Sequence, residues 1–123
     1  MVTVTLPLPP SVNRYWRSIV TKKRARAILS EEGRAYKAIA ELILTAQRQK
    51  MWDCPVSVRG RVYFPNRRGD LDNRIKPVLD ALQGFAYEND SQVWELLFTR
   101  EIDKDNPRVE VEVTPEFIVA HAT

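Results

Sequence analysis

The sequence predicts a single domain with both helices and strands, α/β in the broad sense and α+β in type. A mixed sheet of about four strands packs with two main helices in the order β-α-β-α-β-β. Three observations predict this class. Several short segments alternate apolar with polar residues, as half-buried strands do. Two longer segments repeat apolar residues at helical spacing. The length of 123 residues suits one hydrophobic core and not two.

Four segments carry strand signals. Alternation in residues 2–8 predicts a first strand that stops at a Pro-Pro pair, and residues 56–64 predict a second that stops at Pro-Asn. Residues 93–102 and 109–113 predict two more. Because residues 103–107 between them have turn chemistry, we expect these last two strands to form a hairpin.

The first helix is predicted from Ser30, as N-cap, to about residue 49, with two glutamates placed to offset the positive end of the helix dipole. Its wide apolar face predicts a well-buried helix. That face comprises Tyr36, Ile39, Ala40, Leu42, Ile43, Leu44 and Ala46.

The second helix is predicted to begin near Asp72 and to end at Gly84. Its apolar face comprises Ile75, Val78, Leu79 and Leu82. Pro77 breaks a helix interior, so the pattern requires it to lie near the first turn.

The charge is unevenly distributed along the chain. Net charge is only +3, yet residues 1–30 hold six bases and no acid, whereas residues 85–123 hold nine acids and three bases. Such an uneven distribution of charge favours a protein with one basic face that binds a polyanion. Residues 11–29 sustain no period and predict a mobile basic loop, and residues 116–123 predict a short polar tail.

Several classes of protein are disfavoured. The single Cys54 excludes an internal disulfide and is expected to be a bystander, and His121, the one histidine, stands in the polar tail. The chain starts without a signal-peptide pattern and has no apolar run long enough for a bilayer. We therefore expect a cytoplasmic protein without a membrane partner.

The candidate chemistry lies where the second strand passes into the second helix. Asp70 and Asp72 are spaced so that their side chains turn to the same side of an extended or turn segment. Two hard carboxylates so placed suit Mg²⁺, which keeps waters and binds substrate phosphate. Asp90 opens the next strand and is a candidate third ligand at the same sheet edge. The alternative is an ordinary turn with Asp72 as N-cap.

Bases surround these acids. Lys76 follows Asp72 by one helical turn and Asp80 lies a second turn on, so Lys76 is placed to neutralise charge on a phosphoryl group. Its alternative is an exposed ion pair with Asp72, worth only about 0.3 to 0.5 kcal/mol. Residues 68–70 also spell Arg-Gly-Asp, but without a secretion signal an adhesion role is disfavoured. Arg67, Arg68 and Arg74 suit contact with a DNA backbone.

At this point the sequence resembles the RusA family of Holliday junction resolvases. The resemblance covers most of the chain in order: residues 9–16 (PPSVNRYW), 30–36 (SEEGRAY), 67–73 (RRGDLDN), Lys76, 80–82 (DAL) and 89–93 (NDSQV). It implies that Asp70, Asp72 and Asp90 bind Mg²⁺, for which Mn²⁺ is expected to substitute, and that Lys76 is the essential catalytic cation. It also implies a homodimer that makes paired incisions across a four-way DNA junction in recombination and repair.

The expected DNA surface is the basic loop together with the bases near the acids. Tyr15 and Trp16 are expected either to stack on opened bases or to pack over strand ends. The DNA-binding candidates are Asn13, Arg14, Tyr15, Arg17, Lys22, Lys23, Arg24, Arg26, Arg67, Arg68 and Arg74. Two other functions stay open at this stage: a noncatalytic DNA-binding protein, and a metal-dependent phosphodiesterase that acts on another nucleic acid.

Overall fold

A four-stranded mixed sheet with helices on one face forms the centre of the computed structural model, which describes residues 2–22, 24–47 and 50–116. The elements are β1 (Val2–Pro7), α1 (Val12–Tyr15), β2 (Trp16–Thr21), β3 (Arg24–Leu29), α2 (Glu31–Gln47), β4 (Val56–Phe64), α3 (Asp72–Leu82), a 3-10 turn (Asp90–Gln92), β5 (Val93–Ile102) and β6 (Arg108–Pro115). The predicted class is confirmed, and β2 and β3 add a separate two-stranded sheet.

The strand order of the main sheet is β1-β6-β4-β5, so β5 and β6 are not neighbours. β4 lies between them, parallel to β5 and antiparallel to β6. The predicted β5–β6 hairpin is therefore wrong. β4 is rich in buried residues, and its central position lets it pair on both edges. A parallel β4–β5 pair needs a crossover, and α3 supplies it.

One face of the sheet meets the helices and holds the core. The register of the strands places the buried valines of β4 and β6 on this face, together with Val4 and Leu6 of β1. The other face carries threonines, arginines and glutamates, including Arg59, Arg61 and Glu110. This alternation is the pattern of an antiparallel sheet with one solvated side.

Residues 12–29 are not the predicted loop. They form the helical turn α1 and then an antiparallel hairpin, β2–β3, so that part of the prediction is wrong. The register pairs Arg17 with Ile28, Ile19 with Arg26 and Thr21 with Arg24, which places all three arginines on one face. Small and apolar residues occupy the opposite face. Lys23, and residues 117–123 of the predicted tail, lie outside the described residues.

α2 begins where predicted but is less buried than predicted. The Ser30 hydroxyl accepts from the Gly33 N–H at 3.0 Å, as an N-cap does. Only a narrow stripe that includes Tyr36 and Ala40 is buried, whereas Ile39 and Leu42 are 47% and 74% exposed, because α2 packs along one edge of its apolar face. The predicted end, at residues 48–49, lies outside the described residues. Among the described residues, no helix has the length and apolarity to cross a membrane.

α3 keeps Pro77 in its interior. Asp72 is its first residue and Pro77 its sixth, so the expectation that Pro77 lies near the first turn is wrong. The proline lacks an N–H for the helix, and it is buried at this position. After the helix, Gly84 adopts φ +91°, a left-handed conformation that confirms the predicted end.

Candidate active site and nucleic-acid surface

The rim of acids and lysine at the start of α3 is the candidate site. Lys76 Nζ lies 3.1 Å from Asp90 Oδ2, so the helix and the 3-10 turn meet through this pair. Asp72 precedes Lys76 by one helical turn on the same face. Asp70 stands two residues earlier and is exposed. We call Asp70, Asp72, Lys76 and Asp90 the carboxylate rim.

The turn that carries Asp90 is fixed by amide side chains. Gln92 accepts from two N–H groups of the turn, at 2.9 and 3.0 Å, and donates to the carbonyls of Trp52 and Cys54 at 2.9 and 3.0 Å. The N–H of Asp90 donates to the Gln83 side chain at 3.2 Å. Sequence reasoning treated Gln92 only as part of a family motif and missed this role, although its place in a capped turn was a usable signal.

The loop before Asp70 is held by a residue that sequence reasoning also missed. Arg100 of β5 donates to the carbonyls of Asn66, Arg68 and Gly69, and the Arg68 N–H donates to the Asn66 side chain at 2.9 Å. Gly69 takes φ +83°, which a residue with a side chain rarely adopts. The available signal was a lone arginine in the largely apolar segment 93–102.

The rim provides the donor type that Mg²⁺ prefers. Among the described residues, no three acid, histidine or cysteine side chains converge as a ready-made metal site. Mg²⁺ does not require such a cage, since it keeps several waters and binds through one or two carboxylates plus substrate oxygens. The carboxylate of Asp90, paired with Lys76, and that of Asp72, one helical turn before Lys76, are therefore donors that fit the ion. Convergence of all three aspartates on one ion stays a prediction.

Asp80, one turn beyond Lys76, has a structural contact. The Tyr15 hydroxyl donates to Asp80 Oδ2 at 2.6 Å, and Lys37 Nζ lies 3.4 Å from the same oxygen. Burial, with help from the Asp80 carboxylate, raises the pKa of Tyr15 well above its usual value. This triad joins α1, α2 and α3.

Of the two aromatic residues of α1 and β2, Tyr15 is buried and Trp16 packs partly buried against the core. Tyr15 is 0% exposed, so its place among the DNA-binding candidates is wrong, and packing is the correct alternative of the two considered. Trp16 is partly buried edge-on against Tyr15, with ring centroids 4.3 Å apart. Gly33 allows α2 to approach this pair, because a Cβ there would lie 2.2 Å from the Tyr15 carbonyl oxygen.

Two of the candidate bases are engaged within the chain. Arg14 pairs with Glu32 at 3.0 Å, and both side chains are exposed. Arg74 is partly buried; it donates to the Pro9 carbonyl and lies over the Phe64 ring. Burial, and then the nearby Arg14 and Arg100 charges, lower the pKa of Arg74. These contacts give Arg74 a structural role, and its DNA contact stays a prediction.

The remaining described bases among the DNA-binding candidates lie in two places, the β2–β3 hairpin and the loop before Asp70. All of them are exposed, and so is Asn13; they are Arg17, Lys22, Arg24, Arg26, Arg67 and Arg68. Those on β2 and β3 extend from the body of the domain, and those in the loop adjoin Asp70. A mixed-sheet domain with accessible carboxylates, a lysine and flanking arginines has the groups of a nuclease that acts on a phosphate backbone.

Comparison with known proteins assigns the family. Residues 7–114 match the family model described as Endodeoxyribonuclease RusA. The chain is 36% identical over 116 residues to the crossover junction endodeoxyribonuclease RusA of Escherichia coli (strain K12), covering 91% of this chain and 92% of the relative. The enzyme of the same name from Enterobacteria phage 82 is 36% identical over 115 residues, covering 90% and 92%. The chain therefore belongs to the RusA family of endodeoxyribonucleases.

Proposed function

We propose that this protein is a Mg²⁺-dependent endonuclease that resolves four-way DNA junctions by paired phosphodiester hydrolysis, in recombination and repair. The contact between Lys76 and Asp90 carries the proposal, because it joins α3 and the turn before β5, 14 residues apart in sequence, at one rim. The names of the relatives support the junction as substrate. Because those relatives come from bacteria and a phage, we place the reaction in the cytoplasm.

Within this proposal each rim residue has a defined task. Asp70, Asp72 and Asp90 hold Mg²⁺, for which Mn²⁺ substitutes; the ion supplies Lewis-acid polarisation of the phosphodiester and activation of water. Lys76 is paired with Asp90, so a phosphate held at the rim would lie beside its ammonium, which neutralises charge that builds on the non-bridging oxygens. Arg67 and Arg68, exposed just before Asp70, hold the cleaved strand by its phosphates.

The β2–β3 hairpin grips the junction arms. Its three arginines share one face, and Asn13, Arg14, Lys22 and Lys23 adjoin them in sequence. A row of guanidinium groups along a ribbon follows a phosphate backbone without reading its sequence. Binding is therefore expected to weaken steeply as salt rises.

The deciding experiment compares the wild type with Asp72→Asn on a synthetic mobile four-way junction in Mg²⁺. We expect the variant to bind the junction but to lose cleavage by about 100-fold or more, since several kcal/mol of charge stabilisation depend on the held ion. Asp105→Asn is the matched control, because Asp105 is exposed in the β5–β6 connection, and it should cleave normally. Normal cleavage by Asp72→Asn contradicts the proposal.

The substrate class is tested in the same assay. Unlabelled junction, linear duplex and RNA compete against the labelled junction for cleavage. Preference for the junction supports resolution, whereas equal or better competition by RNA or linear duplex favours a phosphodiesterase on another nucleic acid. Binding without any cleavage favours the noncatalytic alternative.

We further propose that the active form is a homodimer, because a two-fold symmetric junction is matched by two sites related by two-fold symmetry. The edge strand β5 supports this. It has a neighbour on one side only, and its exposed large apolar residues include Trp94, 58% exposed, and Leu97, 54% exposed. Natural edge strands with such surfaces are normally covered. A second copy of the chain is the occupant we propose.

The dimer is tested by sedimentation of Leu97→Lys. We expect this variant to sediment as a monomer, because a charge buried between two copies is unfavourable. Leu42→Lys, at an exposed leucine of α2, is the matched control and should leave the assembly unchanged. A wild type that sediments as a monomer, or a Leu97→Lys variant that stays dimeric, counts against this surface.

A further inference from the structure

Arg100 connects the edge strand β5 to the loop that leads into the carboxylate rim. It pairs in register with Val62, so it lies on the helix-facing side of the sheet. Its guanidinium carbon is 3.9 Å from the centroid of the Phe64 ring. Its nitrogens donate to the carbonyl oxygens of Asn66, Arg68 and Gly69 at 2.9, 2.9 and 2.6 Å.

These contacts fix the shape of the loop. Three carbonyls within four consecutive residues turn toward one planar cation, which fits the forked donors of arginine and not the single ammonium of lysine. The Phe64 ring stacks against the guanidinium group, and Phe64 ends the strand from which the loop leaves. The residue after Gly69 is Asp70, and α3 begins two residues later. The position of the loop that leads to Asp70, the first rim residue, is therefore fixed by a side chain of β5.

The same contacts restrict what can bind a metal. The carbonyl oxygens of residues 66, 68 and 69 are engaged by a cation, so they do not compete with the aspartates as ligands. Groups that orient metal ligands from behind typically change metal affinity by about 10- to 100-fold when they are removed. Arg100 acts one step further back, on the backbone of the loop that leads to Asp70 and Asp72.

We infer that Arg100 is a positioning residue for the metal-holding aspartates: it clamps the 66–69 loop so that Asp70 and Asp72 face Asp90 and Lys76. The inference rests on the proposed function, since it assumes that these aspartates hold the ion. Arg100 itself touches neither the metal nor DNA in this role.

A second arginine offers a matched control. Arg108 lies over the Tyr63 ring, with its guanidinium carbon 3.8 Å from the ring centroid, and donates to the Asn106 carbonyl at 2.9 Å and to Asp103 at 2.8 Å. It thus clamps the connection between β5 and β6 from a ring-stacked guanidinium, as Arg100 clamps its loop, but mainly through the carboxylates of Asp103 and Glu110. None of these contacts is with the loop or the rim.

The experiment measures Mn²⁺ binding to the DNA-free full-length protein by electron paramagnetic resonance titration, for wild type, Arg100→Lys and Arg108→Lys. We expect Arg100→Lys to weaken Mn²⁺ binding by about 10-fold or more and Arg108→Lys to leave it unchanged. Amide hydrogen exchange should rise across residues 66–72 in Arg100→Lys only. Sedimentation of the same samples excludes a change of assembly through β5.

The outcomes separate this inference from the proposed function. Wild-type Mn²⁺ affinity in Arg100→Lys, or equal losses in both variants, overturns the positioning role while the nuclease proposal stands. A wild type that neither binds Mn²⁺ nor cleaves a junction overturns the proposed function, and the inference with it. Weaker Mn²⁺ binding in Arg100→Lys alone, with faster loop exchange, supports the inference.

Discussion

The carboxylate rim and the β2–β3 hairpin differ in how each is attached to the domain. Every segment of the rim is held by contacts with the rest of the domain. Gln92 fixes the turn of Asp90, Arg100 fixes the loop before Asp70, and buried residues of α3 anchor the helix. The hairpin is held mainly by its own strand pairing, and most of its residues are exposed on both faces. An isolated two-stranded ribbon is only marginally stable.

The difference fits the two tasks proposed for them. Transition-state stabilisation requires groups held within fractions of an ångström, and a displacement of about 1 Å can cost 100-fold in rate. Attraction of phosphates by arginines acts over a Debye length of about 8 to 10 Å and tolerates movement. A variant of the rim should therefore affect cleavage, and a variant of the hairpin should affect binding.

The largest expected effect is on the rim. Lys76→Gln should lower single-turnover cleavage of a junction by on the order of 100- to 1,000-fold, because it removes the cation beside the reacting phosphate. Junction affinity should change little. Lys50→Gln, at an exposed lysine that is not one of the rim residues, is the control. If Lys76→Gln mainly weakens binding, the division between the two regions fails.

The next effect is on the hairpin. Replacing Arg17, Arg24 and Arg26 together by alanine should weaken junction binding and leave cleavage of the bound junction near the wild-type rate. The plot of log affinity against log salt should become less steep by roughly 2.7, or about 0.9 for each phosphate that the variant no longer neutralises. Binding titrations over a range of salt concentrations measure this slope.

The control for the hairpin removes equal charge elsewhere. Lys50, Arg61 and Lys104 are exposed and lie outside the hairpin, so their triple alanine variant changes net charge by the same amount. An equal decrease of slope in both triple variants would mean that overall charge, and not the hairpin face, governs binding.

The smallest effect is at the joint between the two regions. Tyr15→Phe removes the hydroxyl that donates to Asp80 and should lower the free energy of unfolding by about 1.5 to 3 kcal/mol. Tyr63→Phe, whose hydroxyl lies 3.1 Å from the more exposed Glu110, should cost less than about 1 kcal/mol. Urea unfolding measures both, and equal costs would argue against Tyr15 as a joint.

Much of the fold was predictable because it depends on local pattern. Alternation predicted the bounds of β4, a run of large apolar residues predicted those of β5, Ser30 predicted the start of α2, and Gly84 predicted the end of α3. Each of these signals acts within a few residues, through side-chain direction or backbone conformation. The hairpin β2–β3 was missed because most of its residues are exposed, and the small alanines that alternate with the arginines of β3 give only a weak apolar signal.

The candidate site likewise has a part that was predictable from the sequence and a part that was not. Asp70, Asp72 and Lys76 were predictable as neighbours because they lie within two turns of one chain segment. The pairing of Lys76 with Asp90 was not predictable in this way, because it depends on the crossover between β4 and β5. The contact of the Arg100 guanidinium with the Phe64 ring depends on which strand pairs with β4.

The sequence by itself determined the α+β class, most element bounds and the group of acids and bases, since these follow from residue type and spacing. Only the tertiary structure decided that β4 separates β5 from β6, that Tyr15 is buried, and that Arg100 holds the loop. The physical reason is that burial and strand pairing depend on which distant segments exclude water together. Spacing along one chain does not specify that partner.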